Sequence, residues 1–320
     1  MSNVVVVGSI NMDFVYFVRN HPLPGETIHS SRTEFKAGGK GANQAVAASL
    51  SGGQVTLVGA VGSDPFSEEI LAGFEHYRIN TSRLLRKDGN TGTAFIVVDE
   101  SGQNSIVLNG GANERLTVED LMFLPELFEE STVLLLQNEI PWQCSQYAMK
   151  AAHQQGIPIY FNPAPALAIP DHIYPQIDVL ILNETEAEFI WNKPLGTNYT
   201  HVAAHFIQLG VKEVILTLGE KGSFYMNRQK ETIYTPAYLV DAIDTTAAGD
   251  TFIGSFIAAR QQGVNAAQCL RRASAASAIA VSRMGAQESI PHSDEVSAFI
   301  NDHPAAVQQE QISACVEGAL

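Results

Sequence analysis

Compact β-branched and apolar runs recur along this chain with little polar alternation: Val4–Val7, Val55–Val61, Val133–Gln137, Ile157–Phe161, Val179–Leu182 and Val214–Leu218. A strand that is apolar at successive positions has to be covered on both faces. Longer helical patterns separate most of the runs: Ala42–Leu50, Phe66–Tyr77, Trp142–Gln154, Glu184–Ile190 and His201–Leu209. Strand and helix in alternation predict a parallel sheet with helices on both sides. The 320 residues are enough for two ordinary domains or one large α/β domain. An apolar share of 45% against 17% charged supports a sizeable core and excludes wholesale disorder.

Two regions break the pattern. Asp13–Phe35 and Thr91–Asn109 alternate apolar with polar residues, as in Thr93, Phe95 and Val97 or Ser105 and Val107. They predict a small antiparallel sheet with one wet face, inserted on the main domain as a lid or a dimer surface. The final stretch, Ala305–Leu320, is small and polar and is assigned no structure.

Lys and Arg number 19 and Asp and Glu 34, a net charge of −15. That balance argues against duplex nucleic acid and anionic membrane as main partners. It leaves a phosphate ligand open, since helix N-termini and metal ions hold phosphate without net positive charge. Cys144, Cys269 and Cys315 lie far apart, with no zinc or disulfide spacing, as in a reducing compartment. Val4–Val7 is too short for a secretory core and no run reaches the roughly 18 apolar residues of a membrane span, so a cytoplasmic protein is expected.

The strongest chemical signal is Asp244-Thr-Thr-Ala-Ala-Gly-Asp250, which follows the extended segment Tyr234–Ile243 and opens the helical pattern Phe252–Arg260. Small residues at Ala247, Ala248 and Gly249 allow close approach to a helix N-terminus, whose free N–H groups attract anions. A carboxylate beside an anion hole is poor for binding alone. It makes sense at Asp250 as a base that takes a proton from a hydroxyl attacking a phosphoryl group. The alternative is that Asp250 merely favours the helix dipole.

Gly38-Gly-Lys-Gly-Ala-Asn-Gln44 permits a strained turn and backbone contact with a ligand, but the spacing is not that of a Walker A loop. Asn11-Met-Asp13 follows the first strand, where open α/β sheets hold ligands, and offers a fork for vicinal hydroxyls. Asn183-Glu-Thr-Glu186 has capping-box spacing; its functional reading places Glu186, through water, near a phosphate-bound Mg²⁺. Thr217-Leu-Gly-Glu-Lys-Gly222 either wraps a nucleotide phosphate or joins two strands. The nine His show no paired metal spacing, and no GxSxG elbow is present.

Taken together the chain resembles the ribokinase/PfkB sugar-kinase family over about residues 3–300. The resemblance rests on Gly8-Ser-Ile-Asn11-Met-Asp13, the glycine-rich string at 38–44, Asn162-Pro-Ala-Pro165, Asn183-Glu-Thr-Glu186, Thr217-Leu-Gly219, Asp244–Asp250 and Gly285-Ala-Gln-Glu-Ser289, in that order. It implies a three-layer α/β/α sandwich with a mostly parallel sheet, as one domain over 1–303. A β lid from about 13–36 and 91–110 pairs two subunits, and a tail covers 304–320. It implies ATP-dependent phosphorylation of the 5-hydroxyl of D-ribose, with Asp250 as base and Ala247, Ala248 and Gly249 as anion hole. Asn11, Met12, Asp13, Gly39, Lys40, Gly41, Ala42, Asn43 and Glu139 then hold the sugar. Asn183, Thr217, Leu218, Gly219, Glu220, Lys221, Gly222, Gly249 and Ser274 contact ATP, and Glu186 the Mg²⁺ shell. Asp244, Thr246, Ala280, Arg283, Gly285 and Ser289 match a K⁺ site built mostly of carbonyls. The chain departs from the family at Ser274, where His is frequent, at Met284, where a basic residue is frequent, and in its tail. A kinase for 2-deoxyribose, another pentose or a nucleoside is the alternative; a sugar-binding regulator without turnover is a further one.

Overall fold

The computed structural model describes residues 3–128 and 132–303; the tail at 304–320 and Cys315 lie outside them. The main sheet has nine strands in the order β13 (Thr232–Thr235), β12 (Ser223–Asn227), β11 (Glu213–Thr217), β10 (Val179–Asn183), β9 (Ile159–Phe161), β8 (Thr132–Leu136), β1 (Asn3–Val7), β4 (Gln54–Val61) and β5 (Asn80–Arg86). Every pair from β11 across to β5 is parallel, and β12 and β13 add an antiparallel edge.

The unbroken Val run suits β1's place in the sheet interior, between β8 and β4. All of Val4–Val7 have 0% exposure. Val5 and Val7 pack on one face under α3 (Leu124–Leu127), α4 (Trp142–Gln154), α5 (Glu184–Trp191) and α6 (Tyr199–Leu209). Val4 and Val6 pack on the other under α1 (Lys40–Leu50), α2 (Phe66–His76), α7 (Ala248–Gln261) and α8 (Ala266–Val281). Each fully buried Val or Leu contributes on the order of 1.5–3 kcal/mol. α9 (Ser293–Asp302) packs Val296 against Ala275, Ala276 and Ile279 of α8.

One close approach positions the site. A Cβ on Gly254 of α7 would lie 2.5 Å from Ala47 Cβ and 2.6 Å from the Gln44 carbonyl of α1. Only glycine lets these helices touch there. One turn earlier, the same contact sets Asn43 and Gln44 of α1 against Asp250 of α7.

The second sheet has four strands in the order β3 (Arg32–Gly38), β2 (Asn11–Phe17), β6 (Gly92–Val98) and β7 (Asn104–Asn109). The expected antiparallel sheet is corrected at its centre: β2 and β6 run parallel, in register from Asn11↔Gly92 to Phe17↔Val98. Alternation in a sequence reports one wet face, not pairing direction. These strands come from separate segments that leave the main body the same way, so they meet parallel. Phe14 joins Phe35 and Phe95 across the sheet and Phe66 of α2, with ring centroids 5.1–5.4 Å apart.

The expected extended segment Tyr234–Ile243 is strand only to Thr235. α8, β5 and the β12–β13 edge carry no strong period in the sequence. No helix among the described residues is long and apolar enough to cross a membrane.

Candidate active site

Polar residues gather where the parallel strands end at their carboxyl edge, the crevice open α/β sheets offer to ligands. Asn11 and Asp13 continue from β1, Glu139 follows β8, Asn162 follows β9, Asn183 ends β10 and Thr217 ends β11. The glycine-rich string enters α1 with Gly39 at φ 89°, and a Cβ on Gly41 would lie 2.5 Å from Ser9 N.

Asp250 stands at the third position of α7, after an N-cap at Ala247 in the left-handed region (φ 57°). Its carboxylate is buried and held by two amides: Asn43 Nδ2 donates to Oδ2 at 3.0 Å and Gln44 Nε2 to Oδ1 at 2.9 Å. The amides are themselves held. Gln287 Nε2 donates to Asn43 Oδ1 (3.2 Å), and Gln137 Nε2 to Gln44 Oε1 (2.6 Å). Gln44 Nε2 also donates to Asn162 Oδ1 (3.2 Å), and Asn162 Nδ2 to Glu186 Oε2 (3.3 Å). One network thus runs from Asp250 to Glu186. Gln137, Asn162 and Gln287 were given no role from sequence; their signal is polar side chains just after strands or in a short turn.

Within the expected anion hole, Ala248 N–H donates to the Thr245 carbonyl at 3.3 Å. The N–H groups of Gly249 and Asp250 meet no backbone acceptor among the described residues, as in the first turn of any helix.

Lys40 is the cation of the site. Burial alone would lower its pKa, but the carboxylates of Asp250, Glu139, Glu186 and Asp13 outweigh it and hold the ammonium above its ordinary value. Asp13 moves the other way: burial first, then Glu139, Asp250 and Glu288, push its carboxyl up to about 7 against the pull of Lys40. Its Oδ1 has no hydrogen-bond partner among the described residues. Glu139 Oε2 accepts from Ser9 Oγ (2.5 Å) and Lys40 N (3.1 Å).

Asn183 and Glu186 form the capping box: Asn183 Oδ1 accepts from Glu186 N at 2.8 Å and Glu186 Oε2 from Asn183 N at 2.9 Å. Burial, and after it the Asp250 charge, raises the Glu186 pKa, although Asn183 N–H, Lys40 and Asn162 favour the ionised form. Thr217 pairs with Asn183 across the parallel ladder. The segment 219–221 makes a 3₁₀ turn to β12, with Lys221 Nζ on Glu184 at 2.9 Å, so the two-strand junction read from sequence is present.

Asp244 ties two loops: Oδ1 accepts from Thr246 N at 2.9 Å and Oδ2 from Gly285 N at 3.0 Å. Burial alone would raise its pKa; the Thr246 and Gly285 bonds and Lys36 outweigh it and hold the carboxyl below its ordinary value. Arg283 bonds Glu295 at 2.5 Å, and Ser289 Oγ the Ala286 carbonyl at 2.8 Å, while Ala280 is buried. Ser274 Oγ reaches Pro236 O at 3.5 Å.

Three of the expected contact residues have their side chains turned into the apolar core. Met12, Ala42 and Leu218 are buried in the apolar cores. Met12 lies on the opposite face of β2 from Asn11 and Asp13, as a strand period of two requires. Ala42 N–H is taken by the Ser9 carbonyl at 2.9 Å.

The model of the pfkB family carbohydrate kinases matches residues 1–293. The chain belongs to this family. It is 37% identical over 301 residues to a ribokinase of Staphylococcus aureus, covering 92% of this chain and 98% of that protein. It is 32% identical over 304 residues to a deoxyribokinase of Salmonella typhi, covering 93% and 99%. The solved structure of an Arabidopsis thaliana ribokinase complexed with ribose and ATP superposes with a TM-score of 0.85 at 31% identity, covering 93% and 98%. Family membership fixes the chemistry as phosphoryl transfer to a carbohydrate.

Proposed function

We propose that the chain transfers the γ-phosphoryl group of ATP to the 5-hydroxyl of D-ribose. The carrying observation is Asp250: a buried carboxylate locked by two amides within the first turn of a helix where the N–H groups of Gly249 and Asp250 meet no backbone acceptor among the described residues. As O5 attacks the γ-phosphorus, the O5–P bond forms, the bond to the bridging oxygen breaks, ADP leaves, and the hydroxyl proton passes to Asp250. Gly249 and Asp250 N–H groups face the charge on the transferring group. Asn11, Asp13, Lys40, Asn43 and Glu139 hold the sugar, and Asn183, Gly219, Gly222 and Ser274 lie on the ATP side. The chain's 37% identity to a ribokinase and the ribose and ATP bound to the Arabidopsis protein support this reading.

No group of three or more acidic, His or Cys residues able to hold a metal occurs among the described residues. Mg²⁺ keeps several waters and binds mainly to substrate phosphates. Both Glu186 oxygens already accept from Asn183, so Glu186 would reach such an ion through water. Bound Mg²⁺ would neutralise phosphate charge. The loops tied by Asp244 would offer carbonyls to a monovalent cation and so stiffen the anion hole. Residues 1–303 are read as one unit with its lid.

ADP release with D-ribose, 2-deoxyribose, fructose and nucleosides, with and without K⁺, tests the reading. D-ribose should show the highest kcat/KM, and K⁺ should raise it. The likeness to the Salmonella deoxyribokinase makes 2-deoxyribose the second reading, and a 2-deoxyribose preference would establish it. Binding without turnover on every sugar would establish a regulator, and equal rates without K⁺ would remove the cation.

The lid supports a homodimer. By register, Asp13, Lys36, Ala94 and Leu108 share one face of it. That face also carries Ile106, and both Ile106 and Leu108 are 52% exposed. A second lid would cover them and close over the sugar. Sedimentation at micromolar concentration should give a dimer; a strict monomer contradicts it.

A further inference from the structure

We propose that Asn113 is a positioning residue that decides which atom of Asn11 meets the sugar; the proposal rests on the sugar-kinase reading above. Asn113 sits in a short helical turn just after lid strand β7, 1% exposed and about a hundred residues from the partners it binds. Ile10 N donates to its Oδ1 at 2.9 Å, and its Nδ2 donates to the Ile10 carbonyl at 3.0 Å. A backbone N–H only donates and a backbone carbonyl only accepts, so these bonds leave no freedom in how the Asn113 amide is turned.

The same Nδ2 reaches Asn11 at 2.8 Å, and the Asn11 atom there must be its oxygen, Oδ1. The two N–H donors of Asn11 meet no acceptor among the described residues. They lie on the face of β2 that also carries Asp13, which only accepts when ionised. The fork is therefore polarised, a donor at Asn11 beside an acceptor at Asp13, which matches a pair of hydroxyls taken one through its oxygen and one through its hydrogen. With the Asn11 amide turned over, two acceptors would face the sugar.

Gly92 confirms how tight this knot is. It opens lid strand β6 opposite Asn11, and a Cβ on it would lie 2.2 Å from both Asn11 Oδ1 and Asn113 Nδ2. The residue that ends the lid thus locks the side chain at its root.

The test is a double-mutant cycle with N11A, N113D and N11A/N113D. Aspartate at 113 keeps the acceptor for Ile10 N, loses both donors and sets a carboxylate oxygen against Asn11 Oδ1. N113D should raise the D-ribose KM roughly tenfold, the scale of one lost polar contact, with kcat and the ATP KM changed less than about threefold. In the N11A background N113D should raise the ribose KM by less than about twofold. An equal rise in both backgrounds, or an unchanged ribose KM in N113D, overturns the proposal. If N113D does not fold by circular dichroism, N113A replaces it in the cycle; loss of folding in both assigns Asn113 to stability alone and also overturns it. A wild type inactive on D-ribose defeats the substrate assignment instead, and the cycle is then measured on the pentose that is turned over.

Discussion

Asp250→Asn should lower kcat by roughly 10²–10⁴, the usual worth of a general base, while ribose and ATP still bind with constants within about threefold of wild type. The substitution keeps the size of the side chain. It replaces one acceptor oxygen by an NH₂ group that must face either Asn43 Nδ2 or Gln44 Nε2, both of which donate to Asp250 in the native site. One donor is then left without its partner, at a cost of about 1–3 kcal/mol in stability. That loss is shared between substrate-free and substrate-bound protein, so it moves the melting temperature and not kcat. Steady-state kinetics with ribose binding by calorimetry separate the two effects. A variant with wild-type kcat would show that the hydroxyl proton leaves by another route and that Asp250 serves only the helix dipole.

Asp13→Asn should weaken ribose binding and stabilise the protein, in opposite directions through one side chain. Burial and the charges of Glu139, Asp250 and Glu288 raise the Asp13 carboxyl from 3.8 to about 7. Folded protein therefore holds this proton between those values while unfolded protein releases it. Stability falls as pH rises from about 4 to about 7, and the whole penalty is present above that. At 1.36 kcal/mol per pKa unit the penalty is at most about 4 kcal/mol. The amide of the variant cannot ionise, so its melting temperature should exceed wild type clearly at pH 8, and the gain should shrink as pH falls towards 4. An equal gain at pH 5 and pH 8 would dismiss the strained carboxylate. The cost of the same change is the fork: without an ionised acceptor, ribose KM should rise by about 10² or more, since a site built on polar contacts is intolerant of losing one. Unchanged ribose KM would remove Asp13 from the sugar site. The charge proposed to bind the sugar is thus held in a place where the folded protein resists it.

The layered α/β architecture was legible because Val4–Val7 and its counterparts are apolar on every position, which only a sheet covered twice can bury. Asn183–Glu186 was legible because a capping box is local, four residues read in order. Asp250 was legible for a similar reason: small residues, a carboxylate and a helix start lie in one short string. The Ala- and Ser-rich α8 was missed because its apolar stripe is made of small residues that barely register as a period. The amide network was not legible either. Gln137, Asn162, Gln287 and Asn113 each bond a partner far along the chain, and nothing in their neighbours says which.

From the sequence alone came the fold class, the family resemblance and Asp250 as the candidate base, because each depends on burial period or on contacts within one turn or loop. The tertiary structure alone decided that lid strands β2 and β6 run parallel, that Met12 and Ala42 face the core, that the carboxylates of Asp13, Glu139, Glu186 and Asp250 crowd Lys40, and that Asn113 turns the amide of Asn11. The physical reason is distance: hydrogen bonds and charges act through a few ångströms of space, and chain closure brings to that range residues that no local pattern connects.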